Sequence, residues 1–264
     1  MAKCDWIITL LGGILTCFRK KCVDKDVDGE DNETILTCGL DGRLGIHFYG
    51  GVLMFHYDYV PRKEAAPYKA VWIEILTRVQ DELRGYFTFQ FQFIGSASRN
   101  MITYDSSTNT GFDFDVNIEV NDDDESYTPE QIRTMLRNAL TRIGREYGYN
   151  KCEDSTRVIT VKRIDPCHSK IEDSCDFAIV HYGKDGQQYI RFCKELQSYS
   201  WEFQKQPYRD LEARADFLKE HGCWEEVRQV YLDKKNSNMN RDKHSRSLYA
   251  EAVNECYMRN SHRG

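Results

Sequence analysis

The stretch from Tyr86 to Val120 limits the fold most, because two segments within it alternate apolar and polar residues with the period of a β-strand. In the first, Phe87, Phe89, Phe91 and Phe93 interleave with Thr88, Gln90 and Gln92, and the segment ends in Ile94-Gly95-Ser96. In the second, Phe112, Phe114, Val116 and Ile118 interleave with Asp113, Asp115, Asn117 and Glu119. Successive side chains of a strand point to opposite faces, so each segment offers one face to a core and the other to water or a ligand. The aromatic face must be covered, and flanking helices are the expected cover.

Asp113 and Asp115 therefore project as close neighbours from one polar face. Such a pair repels itself and raises the pKa of at least one member unless a cation or donors compensate, and oxygen ligands of this kind suit magnesium. Gly95-Ser96 stands where a strand gives way to a turn; a glycine there lets backbone N–H groups approach an anion, and the hydroxyl adds a donor. The plainer alternative is that the two carboxylates only solvate an open sheet face and Gly95-Ser96 is an ordinary turn.

A Gly-Ser after one strand and an Asp-x-Asp on the next resemble the nucleotidyltransferase superfamily typified by DNA polymerase beta. The resemblance implies a third carboxylate on a neighbouring strand, and Asp176 takes that place at the head of the run Asp176-Phe177-Ala178-Ile179-Val180-His181-Tyr182. It further implies two magnesium ions, with manganese as a substitute, held by Asp113, Asp115 and Asp176. Gly95 and Ser96 would hold the β- and γ-phosphates of a nucleoside triphosphate while a hydroxyl attacks the α-phosphorus and pyrophosphate leaves. In that superfamily a helical second half closes over the nucleotide; Lys234 and Lys235, at a helix end, are candidates for the triphosphate by position, with a simple helix-dipole contact as the alternative. Sixteen residues separate Ser96 from Asp113, a longer gap than in the shorter members, and Asp105 to Gly111 are expected to form a flexible loop over the site.

The rest of the chain is expected to be α+β: a mixed, helix-flanked catalytic sheet, a β-rich N-terminal extension and a helical C-terminal half. Residues 1–63 are read as the extension, 64–193 as the nucleotidyltransferase core and 194–264 as the helical subdomain. Cys4 to Phe18 is an apolar run followed by Arg19-Lys20-Lys21, too short for a bilayer span of about 20 residues. It is expected to be a packed helix, with membrane contact through residues 1–21 as the alternative. Asp24-Lys25-Asp26-Val27-Asp28-Gly29 begins like a calcium loop but has Ile35 where a bidentate glutamate belongs, so an acidic linker is expected. Strands are expected at 34–38, 43–49 and 52–59, the last two joined by Gly50-Gly51 as a hairpin.

A helix follows from Pro67 to Leu83 with Ala70, Ile73, Leu76, Val79 and Leu83 on its apolar stripe. Thr128-Pro129-Glu130-Gln131 carries the capping-box signature of a second helix. Strands at 157–164, 176–182 and 187–192 come next, then helices at 208–221, 224–235 and 245–258.

Composition narrows the setting. A net charge of −6 gives no overall basic field for nucleic acid. Ten cysteines without a Cys-x-x-Cys pair are read as reduced thiols of a cytoplasmic protein, and Cys152, Cys167, His168 and Cys175 lack the paired spacing of a zinc site. Within the superfamily, a sheet followed by a compact helical half looks more like the oligoadenylate synthetase and cyclic-dinucleotide synthase group, whose members make oligonucleotide second messengers, often in antiviral defence. The acceptor hydroxyl stays open between a nucleotide, RNA such as a tRNA end, a protein and a small molecule. A catalytically silent nucleotide-binding module is the rival from another class.

Overall fold

The structure is a computed structural model that describes residues 56–105, 111–122, 124–168, 170–204, 210–240 and 243–261, with the backbone of four strands further upstream. The chain divides into two compact units, residues 1–54 and 55–264.

In the first unit β1 (Trp6–Leu11) and β2 (Ile14–Arg19) pair antiparallel, with Leu11 opposite Ile14, and β3 (Leu36–Cys38) and β4 (Leu44–Ile46) extend the sheet in order. The helix expected over residues 4–18 is thus corrected to strands. Ile7, Ile8, Thr9, Ile14 and Thr16 are β-branched and lose rotamer freedom in a helix, and Gly12-Gly13 between the two runs is a hairpin signal in its own right. The acidic stretch 24–29 lies outside the described residues.

The second unit opens with β5 (Tyr57–Tyr59), which pairs with β7 (Thr103–Asp105), while β4 pairs with β3. The hairpin expected between 43–49 and 52–59 is corrected accordingly; its turn, Gly50-Gly51, lies outside the described residues. Helix α1 (Arg62–Leu83) starts five residues before the expected Pro67, which sits inside it. Its buried face is Trp72, Ile75, Leu76, Val79 and Leu83, whereas Ile73, expected on the stripe, is 42% exposed.

Strand β6 (Thr88–Ile94) runs into α2 (Gly95–Ser98), a single turn, and β8 (Phe112–Asn121) follows β7. Helix α3 (Pro129–Glu146) starts at the expected capping box: Gln131 N–H donates to Thr128 Oγ1 at 3.3 Å and Thr128 N–H to Gln131 Oε1 at 2.8 Å. Then come β9 (Glu153–Asp154), β10 (Val158–Asp165), β11 (Lys170–Gly183), β12 (Gly186–Cys193) and β13 (Ser198–Phe203). The last is a strand that sequence reading passed over; Tyr199 and Trp201 alternate with Ser198 and Ser200, a short strand pattern lying next to long helical text.

These strands make one mixed seven-stranded sheet. Strand β8 runs antiparallel to β6 and parallel to β11, and β11 pairs antiparallel with β10 along its first part and with β12 near its end. The apolar faces of β6, β8, β10 and β11 join α1 and α3 in the main core, which buries Phe114, Phe177, Trp72 and Leu136. Two buried charged side chains tie its elements together. Arg133 on α3 is 1% exposed and donates to Asp154 Oδ1 from Nε (2.8 Å) and Nη2 (2.5 Å), and to the carbonyls of Ser155 (2.7 Å) and Val158 (3.0 Å), so one side chain clamps α3 to β9 and β10. Asp173 on β11 is fully buried; its Oδ2 accepts from Trp72 Nε1 at 2.9 Å and Tyr149 Oη at 2.8 Å, and Arg163 Nη2 stands 2.9 Å from Oδ1 as an ion pair.

Helices α4 (Leu211–Glu220), α5 (Trp224–Asn236) and α6 (Ser245–Asn260) form a second core around Leu218, Val227, Tyr231, Leu248 and Val253, into which Met101 inserts from just beyond α2. Hydrogen bonds tie β5 to α5: Tyr57 N–H donates to Asn236 Oδ1 at 2.6 Å and Tyr59 Oη to the Arg228 carbonyl at 2.6 Å. The helical half is thereby held against the strand pair β5–β7, close to the start of β8.

Candidate active site

Strand register brings the three aspartates together. Asp115 on β8 lies directly opposite Asp176 on β11, Asp113 opposite Ser174, and Thr160 on β10 opposite Asp176. All three carboxylates leave the sheet on the face away from the main core, where alternate residues Phe114, Val116, Cys175 and Phe177 are buried. Ser174 Oγ donates to Asp113 Oδ1 and Thr160 Oγ1 to Asp176 Oδ1, each at 2.5 Å. One oxygen of each outer carboxylate is thus engaged by a hydroxyl, and among the described residues no three His, Cys, Asp or Glu side chains stand close enough as placed to hold a metal ion.

The electrostatics are those of a crowded anionic site. Desolvation pushes the Asp113 carboxyl up to about 6; the charges of Asp176 and Asp115 add to this, while Ser174 and Lys162 oppose it. Asp115 is raised by desolvation and then by Asp176, against Arg99, and Asp176 by desolvation against Thr160 and Lys162. Asp113 keeps solvent access on the sheet face, so its shift is worth less in stability than its size suggests.

The sign follows from linkage. An acid whose folded pKa is raised stabilises the fold below its unfolded value, near 3.8, and that stability is lost as pH rises through about 6. Asp113→Asn is therefore expected to melt about 2–4 °C above the parent at pH 7.5, corresponding to about 1 kcal/mol after discounting, and level with it at pH 4. Equal melting points at both values would count against the charge crowding.

Gly95 is required at its position for two reasons. Its φ is +64°, which only glycine adopts without strain, and a Cβ there would overlap Oδ2 of Asp115. Gly95→Ala is expected to cost about 1–2 kcal/mol from backbone strain and, by displacing Asp115, about 100-fold in any chemistry the carboxylate performs. Melting and turnover measured on the same preparation separate the two effects. Ser96 follows in α2, and its carbonyl accepts from Met101 N–H at 2.8 Å.

The two lysines part company. Residues adjacent on a helix differ by about 100° in direction, and Lys234 turns to Glu255 on α6 at 2.8 Å. Lys235 turns to the site: its Nζ donates to Thr103 Oγ1 at 2.5 Å, lies 4.3 Å from the centre of the Tyr57 ring and feels the charge of Asp113. Desolvation lowers it to about 8, so it remains a cation at neutral pH.

Sequence reasoning missed Arg99, Lys162, Thr160 and Ser174. Arg99 stacks 3.9 Å from the centre of the Tyr249 ring, its buried Nε has no hydrogen-bond partner among the described residues, and its charge acts on Asp115. Its only sequence signal is a cation just past Gly-Ser. Lys162 and Ser174 carry no signal, because only strand register places them beside Asp113.

Solved structures share this fold. The chain is similar to the Vibrio cholerae cyclic AMP-GMP synthase DncV in complex with the linear intermediate 5' pppA(3',5')pG, with a TM-score of 0.55 at 11% identity, covering 75% of this chain and 68% of that one. It is also similar to the same di-nucleotide cyclase with GTP bound, with a TM-score of 0.54 at 11% identity, covering 75% and 69%. The chain thus shares the α+β nucleotidyltransferase fold seen in those structures. No family model and no curated protein matches the sequence.

Proposed function

We propose that the chain is a nucleotidyltransferase that moves a nucleoside monophosphate from a nucleoside triphosphate to a hydroxyl acceptor, and that its product is an oligonucleotide second messenger, linear or cyclic. The observation that carries this reading is the juxtaposition of Asp115 with Asp176 across parallel strands, with Asp113 one pleat away and Gly95 packed against Asp115. A sheet face that holds three carboxylates at raised pKa gains stability from a hard divalent cation, and all-oxygen donors suit magnesium or manganese. Asp113, Asp115 and Asp176 would hold it; when bound it supplies positive charge against the phosphate oxygens and lowers the pKa of a hydroxyl.

The chain's own groups account for the remaining work. The Gly95-Ser96 backbone and the Ser96 hydroxyl offer donors for a phosphate beside Asp115. Lys235 and Arg99 supply cations on the two carboxylates of β8, so a triphosphate arriving there meets positive charge on its approach. Lys234, paired to Glu255, serves the α5–α6 contact rather than the nucleotide.

The test is incubation of the purified protein with magnesium or manganese and each labelled nucleoside triphosphate, with Asp113→Ala/Asp115→Ala as control, products being resolved by mass. Release of pyrophosphate with a linear or cyclic oligonucleotide is the expected result. A parent that consumes no nucleotide, and binds triphosphate no better than the control, leaves the silent-module reading. The expected setting is cytoplasmic, in keeping with reduced thiols; among the described residues no helix is long and apolar enough to cross a membrane.

A further inference from the structure

Beyond the carboxylates the same sheet face continues into a second cleft, of about 260 Å³, lined by Gln90, Phe91, Gln92, Asn117, Glu119 and Tyr182. Register fixes the polar four. Gln92 lies directly opposite Asn117 and Gln90 opposite Glu119, and Asn117 follows Asp115 by one pleat repeat, about 7 Å along the strand. Among the described residues these four side chains take no hydrogen-bond partner within the protein. Tyr182, 51% exposed, is fixed at the edge by Gln187 Nε2, which donates to its hydroxyl at 3.0 Å.

Charge sorts the two ends of the face. Lys162 and Lys235 act on Asp113, and Arg99 on Asp115, so the cations gather where the phosphates are expected. The cleft at Asn117 and Glu119 is lined by amides, a carboxylate and the Tyr182 ring, with no lysine or arginine among its lining residues; Phe91 turns its ring to the core on the other face. That lining repels a phosphate and suits a flat heterocycle bearing amino groups. Paired amides can read an adjacent donor and acceptor on one base edge, as asparagine and glutamine do with adenine; a carboxylate accepts from an exocyclic amine; and an aromatic ring offers a stacking surface.

We infer that this cleft seats the base of the acceptor nucleotide, with Gln92 and Asn117 reading an edge that carries an exocyclic amino group, adenine matching best, and Glu119 accepting from the amine. The acceptor's ribose would then bridge from the cleft to Asp115, leaving its hydroxyl at the carboxylates. This inference rests on the nucleotidyl-transfer reading and adds acceptor selectivity to it.

The test uses the full chain with magnesium and a fixed labelled triphosphate as donor, offering ATP, CTP, GTP and UTP in turn as acceptor and measuring kcat and KM for each. The parent is expected to favour ATP over UTP as acceptor by about tenfold or more in kcat/KM. Gln92→Leu/Asn117→Leu is expected to bring that ratio within about twofold, mainly through a raised KM for ATP as acceptor. Gln92 is exposed and Asn117 half-buried, and if the double variant fails to fold, Gln92→Leu alone is read in the same way. Transfer without a base preference, or a preference unchanged in the variant, overturns the inference while nucleotidyl transfer stands. A parent that neither consumes nor binds triphosphate beyond the Asp113→Ala/Asp115→Ala control overturns both.

Discussion

Asp115→Asn is expected to lower nucleotidyl transfer by about a thousandfold or more while leaving the melting temperature unchanged or slightly raised at pH 7.5. The two halves of that result have one cause. Asp115 stands across from Asp176 and under Gly95, where burial and its neighbour's charge disfavour the ionised form. An isosteric amide removes the repulsion and keeps the shape, so the fold does not suffer. It also removes the negative oxygen on which cation binding and hydroxyl activation depend in the proposed nucleotidyl transfer. Lost activity with a lowered melting point would instead describe a structural residue, and retained activity would remove Asp115 from the chemistry.

Asp173→Ala is expected to destabilise the protein by about 3–5 kcal/mol, a fall of roughly 10 °C in melting temperature. Asp173 and Asp176 belong to one strand but to opposite faces, and their fates differ accordingly. The Asp173 carboxylate is enclosed by Trp72, Tyr149 and Arg163, so its removal leaves an indole N–H and a phenol without their acceptor next to the core and takes from Arg163 one of its two carboxylate partners, Glu172 being the other. Trp72→Phe, which deletes one of those donors and keeps an aromatic ring, should lose less than half as much. Thermal melts of the two variants beside the parent check the order; an Asp173→Ala variant within 1–2 °C of the parent would show that the cluster contributes little net stability.

The aromatic alternation of β6 and β8 was legible because period two is a local property, and it put Asp113 and Asp115 on one face with no knowledge of the partners. The capping box of α3 was legible for the same reason: its hydrogen bonds span three residues. Residues 4–18 misled because an apolar run with β-branched residues has no clear period, and strand pairing, a non-local choice, decided it. Strand β13 was missed because six residues beside long helical text carry little weight until β12 is there to pair with them. On α1, spacing alone put Ile73 on the buried stripe, whereas the docking angle on the sheet buried Trp72 and Ile75 instead.

By itself the sequence determined the sheet face, the two carboxylates on β8, the glycine turn before them and the helical second half, all set by short-range periodicity and turn chemistry. Only the tertiary structure decided that Asp176 stands opposite Asp115, that Lys235 and not Lys234 looks toward Asp113, and that Arg99, Lys162, Ser174 and Thr160 surround the site. Those placements depend on the register between strands far apart in the chain and on how one helix rotates against another. The energies that fix them come from the burial of Phe114, Phe177, Trp72 and their neighbours on the opposite side of the sheet, so the core sets the geometry that the polar face presents.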